Sequence, residues 1–155
     1  MHQVEIRIDK TEAMRRLERA TLKHGRMLEQ PKNAAQVYNL QADREESADN
    51  GLMEASFDQW VQKGVAIMDE YLSGTPHYDS SPNDNEFVIN LLMPGNWVIH
   101  SAPGLKYALL ELVHNGMLAD WYDDTKPDSA TAFKKKAELN KAEIHSIIYS
   151  LNPPS

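Results

Sequence analysis

The sequence contains no cysteine, so disulfide bonds, thiolate metal sites and cysteine nucleophiles are all excluded. It also lacks an uninterrupted apolar run long enough to cross a bilayer, because Lys106, Glu111, His114 and Asp120 interrupt the longest one. The first residues alternate between polar and apolar and form no signal core, so we expect assembly and function in the cytosol. The motifs of nucleophile-elbow hydrolases, zinc proteases, P-loop proteins and dinucleotide-binding folds are also absent, which argues against a hydrolase or nucleotide site.

What the chain does have is enough apolar sequence for one core. Of its 155 residues, 41% are hydrophobic and 25% are charged, which suits a single globular domain over residues 1–155. The net charge of −7 is uneven: residues 1–36 hold eight Lys or Arg against five Asp or Glu, whereas residues 37–96 hold two against eleven. Such asymmetry is typical of surfaces that meet in an assembly, although solvated helix faces give the same pattern. Without a concentrated basic surface, sequence-specific DNA binding is not expected.

The longest apolar stretch, residues 104–122, predicts a central helix. Wound at about 100° per residue, it is apolar over most of its circumference, as expected for a helix packed on several sides. A narrow polar strip remains, formed by Lys106, Tyr107, Glu111, His114 and Asn115. Pro103 sets the start of this helix.

Two strands are predicted, one before the first helix and one just before the central helix. Residues 3–9 alternate apolar and polar with a period of two, and residues 86–92 form a less alternating, more buried strand. The simplest architecture pairs the two strands with each other. Between them, residues 73–85 are rich in Gly, Pro, Asn and Ser, which predicts a mobile loop.

Three more helices are predicted from hydrophobic spacings of three and four residues. Their ranges are Asp9 to about Leu28, about Glu45 to Leu72, and about Thr131 to Leu151. The first two begin with a capping-box pattern, and Asp128 or Ser129 is expected to cap the third. Residues 152–155 form an extended tail.

The predicted fold class follows from these elements. It is α+β and mainly helical, with three to four helices packed around the central helix and a small two-stranded sheet of residues 3–9 and 86–92. Gly64 and Gly116 lie in the apolar faces of the second and central helices, and they are expected to let those helices approach closely.

The best candidate for chemistry is the pair Glu111-x-x-His114 on the polar strip. Such a pair can bind one metal of a di-iron bundle, but that site needs a second such pair and two more glutamates. The last helix offers Glu143 and His145, which face different directions. We therefore predict no metal and no cofactor, and interpret the strip as an interface or a solvent edge.

The remaining candidate residues are those suited to a protein interface. One face of the first helix is basic, and aromatic residues adjoin acids after the central helix. The predicted interface residues are Arg15, Arg16, Arg19, Lys23, Glu111, His114, Trp121 and Tyr122.

Four segments in succession carry a family resemblance: MDEYL, EFVINLLM, KYALLELVHNGMLADWY and IHSIIYSLNPP. Their order resembles small structural proteins of tailed phages and prophages of gut bacteria and, more distantly, helical head–tail connector or adaptor proteins. The matching residues are Ile67, Glu70, Tyr71, Leu72, Pro103, Lys106, Ala108, Leu110, Leu112, Val113, Ile144, Ile147, Ile148, Tyr149 and Pro153.

The resemblance implies a non-enzymatic virion protein, assembled in the host cytoplasm. Copies would form a homo-oligomeric ring that binds portal and tail proteins and leaves a channel for DNA, with no role in a membrane. The N-terminal strand and helix and the second strand depart from the plain connector, whose all-α bundle is the alternative fold. Two other functions stay open: a cytosolic protein-interaction or regulatory module, and a metal-dependent enzyme using Glu111 and His114.

Overall fold

The computed structural model describes residues 1–26, 50–79 and 85–151, with side chains from 1–21, 52–79 and 85–151. The chain has the predicted mainly helical α+β fold. Within the described ranges its strands and α-helices are β1 His2–Asp9, α1 Lys10–Arg26, α2 Asn50–Ile67, β2 His77–Tyr78, β3 Glu86–Met93, α3 Ala102–Tyr122 and α4 Pro127–Ile148.

The sheet is antiparallel, with the strand order β1-β3-β2. As predicted, β1 and β3 pair along their whole length, and the alternation of β1 buries Ile6 and Ile8. The prediction of only two strands is wrong, because His77 and Tyr78 form a third strand inside the segment expected to be a loop. Pairing with β3 and the edge-on contact of Tyr78 with Phe87 stabilise this short strand, and neither can be read from local sequence. Residues 80–84 lie outside the described ranges.

Helix α1 begins where the capping pattern predicts. The Asp9 carboxylate accepts hydrogen bonds from the backbone N–H of Thr11 at 2.8 Å and of Glu12 at 3.2 Å. These bonds satisfy amide groups that have no partner within the helix. The predicted end at Leu28 lies outside the part of the chain that the structure describes.

Helix α2 ends earlier than predicted. The α-helix ends at Ile67, and a separate 3-10 turn follows over Asp69–Tyr71. The predicted helix end at Leu72 is therefore wrong. Leu72 has an extended backbone instead and forms a β-bridge with Leu91 of β3. Its predicted start, about Glu45, lies outside the described ranges.

Helix α3 is the centre of the fold, as predicted. It packs against α1, α2 and α4, and eleven of its 21 residues are buried. One position of the predicted polar strip is wrong: Asn115 is buried, and its Nδ2 donates a hydrogen bond to Asn140 Oδ1 of α4 at 2.8 Å. Because this hydrogen bond satisfies the Asn115 amide, the side chain can be buried without an unpaired polar group at Nδ2.

Helix α4 starts and ends differently from the prediction. Pro127 occupies its first turn and Lys126 precedes it, so neither Asp128 nor Ser129 is the cap. It ends at Ile148 instead of Leu151, because the chain turns to pair Leu151 with Trp97 in a β-bridge. Residues 152–155 are outside the described ranges.

Candidate functional site

A groove of about 630 Å³ lies between α1 and α3, next to the end of β1. Its floor consists of small or half-buried apolar side chains, Ala13 and Ala20 from α1 and Leu110 from α3, with the buried Val113 below. Charged side chains surround this floor, and most of them are exposed. They are Arg7, Asp9, Glu12, Arg16, Arg19 and Lys106. An apolar floor with a charged border is the composition of many binding surfaces.

Ion pairs hold much of this border in place. Arg16 Nη2 of α1 lies 2.6 Å from Glu111 Oε1 of α3, and this pair links the two helices across the groove. The Glu111 side chain is only 18% exposed, so the pair is partly shielded from water. Glu12 binds Arg15 at 2.7 Å and Arg19 at 3.7 Å, both on its own helix. These last pairs are well exposed and contribute about 0–1 kcal/mol each.

Lys106 differs from the other cations of the groove. It is exposed, and it makes no ion pair with any residue that the structure describes. The groove therefore holds an ammonium group that is available to an incoming acid.

His114 lies in the wall of the groove, one turn beyond Leu110. Its Nδ1 is buried and has no hydrogen-bond partner among the described residues. Burial is the main cause that lowers the pKa of His114 from its ordinary 6.5 to about 4. The cations Arg16 and Lys136 contribute to this shift, and Glu111 opposes it. The imidazole is thus neutral at pH 7.

Glu111 and His114 are also the residues of the candidate metal site. Glu111 binds Arg16, and the ranges covered by the structure contain no group of three or more His, Asp and Glu placed to hold a metal ion. The interactions that the structure shows at this site are ion pairs around an apolar floor.

The structure brings together half of the predicted interface residues. Arg16, Arg19 and His114 line the groove, and Glu111 joins them through its ion pair. Arg15 is exposed on α1 but is not part of the lining, and the side chain of Lys23 lies outside the described ranges.

The two aromatic residues predicted for the interface lie at the other end of α3. Tyr122 is fully buried and stacks on Phe133 with ring centroids 5.9 Å apart, so its side chain belongs to the core and not to a surface. Trp121 is half-buried. Tyr122 ends the apolar arc of α3, which is the signal that places it inside.

Sequence reasoning missed Arg7, Asp9, Glu12 and Lys106 as parts of the groove. Lys106 stands on the same polar strip as Glu111 and His114, and this shared face is a signal that could have identified it. The other three come from β1 and the start of α1. Their approach to α3 depends on tertiary packing.

Comparison with protein-family models, curated proteins and solved structures finds no significant match to this chain. In the part of the chain that the structure covers, no helix combines the length and apolar character required to cross a membrane. The function is therefore inferred from the geometry of the groove and of the surfaces around it.

Proposed function

We propose that this chain is a non-enzymatic virion structural protein whose copies form a ring connecting portal to tail and leaving a channel for DNA. The observation that best supports a role in assembly is the groove between α1 and α3. Its apolar floor and exposed charged border suit the docking of another protein segment. The order of elements that resembles the connector proteins gives this assembly its specific form.

Two acidic side chains of α3 make contacts that support the fold. Glu111 is held by Arg16, and Asp120 accepts hydrogen bonds from Ser56 and Trp60. Acidic groups bound in this way fix helices relative to one another, which favours a protein that acts through the shape and charge of its surface.

The charge distribution suits a ring around DNA. Contacts between successive copies of a ring are heterologous, so two different surfaces of each copy must complement each other. The acidic composition of segment 37–96 suits a channel wall, because an acidic wall releases no counterions from DNA and lets it slide. The basic first helix would face a neighbouring protein.

Electron microscopy and sedimentation velocity test this function directly. The purified chain should form rings, alone or after mixing with a portal protein. A chain that stays monomeric at high concentration and binds neither portal nor tail proteins would contradict the proposal. A monomer or dimer that instead captures one defined cytosolic protein would support the regulatory module. A bound transition metal with a turnover that depends on Glu111 and His114 would support the enzyme.

A further inference from the structure

The turn between α3 and α4 carries three acids, Asp123, Asp124 and Asp128, and one lysine, Lys126. Asp123 and Asp124 follow α3 and are exposed, and Asp128 is exposed in the first turn of α4. Asp123 binds Lys134 at 3.1 Å, whereas Asp124 makes no ion pair with any described residue. We call Asp123, Asp124 and Asp128, with the turn that carries them, the acidic turn.

The acidic turn and the groove lie at opposite ends of the same helix. Lys106 is in the second turn of α3 and Asp124 follows its end, so the helical rise separates their backbones by about 25 Å. Because α3 is packed on three sides by the other helices, it cannot bend to join them. One copy therefore cannot place its own acidic turn in its own groove.

We propose that the acidic turn of one copy docks in the α1–α3 groove of the next copy, an inference that rests on the proposed ring function. Lys106 binds Asp124 of the neighbour, and Arg19 lies beside Asp123. The small side chains Ala13 and Ala20 leave room for the turn over the groove floor.

Charge complementarity identifies the occupant. The charged lining of the groove has four cations, Arg7, Arg16, Arg19 and Lys106, and two acids, Asp9 and Glu12. Arg7, Arg16 and Arg19 are paired with Asp79, Glu111 and Glu12, so Lys106 is the cation left for an incoming acid. The chain as a whole carries −7, so the exposed ammonium of Lys106 meets mostly acidic surfaces when copies approach one another. The exposed ammonium of Lys106 and the exposed carboxylate of Asp124 are each without an ion-pair partner within the described chain, and one contact would pair both.

The contact also has the polarity that a ring requires. A groove at one end of α3 and an acidic turn at the other make a head-to-tail interface, which closes into a ring when the rotation per copy divides the circle. A two-fold dimer would make the same contact twice, groove to turn and turn to groove, so the number of copies in the assembly distinguishes it from a ring.

Charge reversal tests the contact in the condition where the wild-type chain forms rings. Lys106→Glu and Asp124→Lys should each raise the concentration needed for half-assembly by at least about tenfold, because each places like charges together. An equimolar mixture of the two variants should assemble again, since the reversed groove of one fits the reversed turn of the other. The double variant Lys106→Glu/Asp124→Lys should also recover. Carbodiimide coupling in the wild-type ring should join Lys106 of one copy to Asp124 of another, as read by mass spectrometry of the cross-linked peptides.

Matched controls come from the exposed face of α4. Lys135→Glu and Glu143→Lys reverse the same charges away from both surfaces, and should leave assembly unchanged. Circular dichroism and thermal unfolding establish that all variants fold.

The outcomes separate this inference from the proposed function. Rings that tolerate both reversals, or variants that the mixture and the double substitution fail to rescue, overturn the groove contact and leave the ring function standing. A wild-type chain that forms no ring in any condition, with or without portal protein, overturns both.

Discussion

Gly116 of α3 lies directly against the indole ring of Trp60 in α2, and a Cβ atom at position 116 would stand 2.1 Å from Trp60 Cδ2. Gly64 of α2 has the reciprocal relationship to α3, since a Cβ there would stand 2.3 Å from Leu109 Cδ1. The predicted close approach of these two helices at Gly64 and Gly116 is thus confirmed. Each glycine accommodates a large side chain of the facing helix.

Gly116→Ala should therefore destabilise the fold by about 1–3 kcal/mol through overpacking. Trp60 has little freedom to withdraw, because its indole N–H donates to Asp120 at 2.9 Å and Lys63 Nζ lies 3.7 Å from its ring centroid. Urea denaturation followed by tryptophan fluorescence measures the change.

Gly104→Ala is the matched control for that substitution. A Cβ at position 104 would lie 3.8 Å from Ile147 Cδ1, which is an ordinary contact. Because alanine has the higher helix propensity, the free energy of unfolding should stay the same or rise by up to about 1 kcal/mol. Equal stability of the two alanine variants would show that the Trp60 contact is not tight.

The core position of Leu112 provides a second prediction. Leu112 is fully buried in α3, and Leu112→Asp would place a carboxylate among apolar side chains at a cost of several kcal/mol. We expect the domain to unfold. Leu139→Asp, at a position 70% exposed on α4, should leave the fold intact. Far-UV circular dichroism of the two variants decides this, and a folded Leu112→Asp protein would mean that α3 is not the centre of the core.

Asp120 provides a third prediction, because it connects α3 to α2. Its Oδ2 accepts hydrogen bonds from Ser56 Oγ at 2.5 Å and from Trp60 Nε1 at 2.9 Å. Asp120→Ala would leave both donors without this acceptor in a half-buried site and should destabilise the fold by about 1–3 kcal/mol. Thermal unfolding measures the loss, with the exposed Glu143→Ala as control.

A double-mutant cycle with Ser56→Ala separates this hydrogen bond from general effects of the substitution. If the two losses simply add, Ser56 and Asp120 do not interact in solution.

The elements that the sequence predicts well are those whose signal is local. The alternation in β1, the cap at Asp9 and the wide apolar arc of α3 each reside within one segment, and each is found where expected. The missed features depend on distant partners. His77–Tyr78 is a strand because β3 lies beside it, and Leu72 leaves the helix to pair with Leu91.

In the groove, too, the sequence predicts the local neighbours and misses the partners from other elements. The polar strip of α3 predicts Glu111 and His114 as neighbours on one face, and the structure places both at the groove. Nothing in the local pattern says that Arg16 of α1 would be the partner of Glu111, or that Arg7 of β1 would border the same surface. Those relationships arise only when the sheet and helices pack.

His114 makes stability depend on pH in a defined window. Its pKa is about 4 in the folded chain, mainly because of burial, and 6.5 ordinarily. Between these values the unfolded chain binds a proton here that the folded chain does not, so the free energy of unfolding should fall as the pH drops from 6.5 to 4, by about 2–3 kcal/mol. His114→Gln should remove this part of the pH dependence, whereas His77→Gln, at an exposed position, should keep it. Urea denaturation at several pH values measures both slopes, and an unchanged slope in His114→Gln would mean that the imidazole is protonated as easily in the folded chain as in the unfolded one.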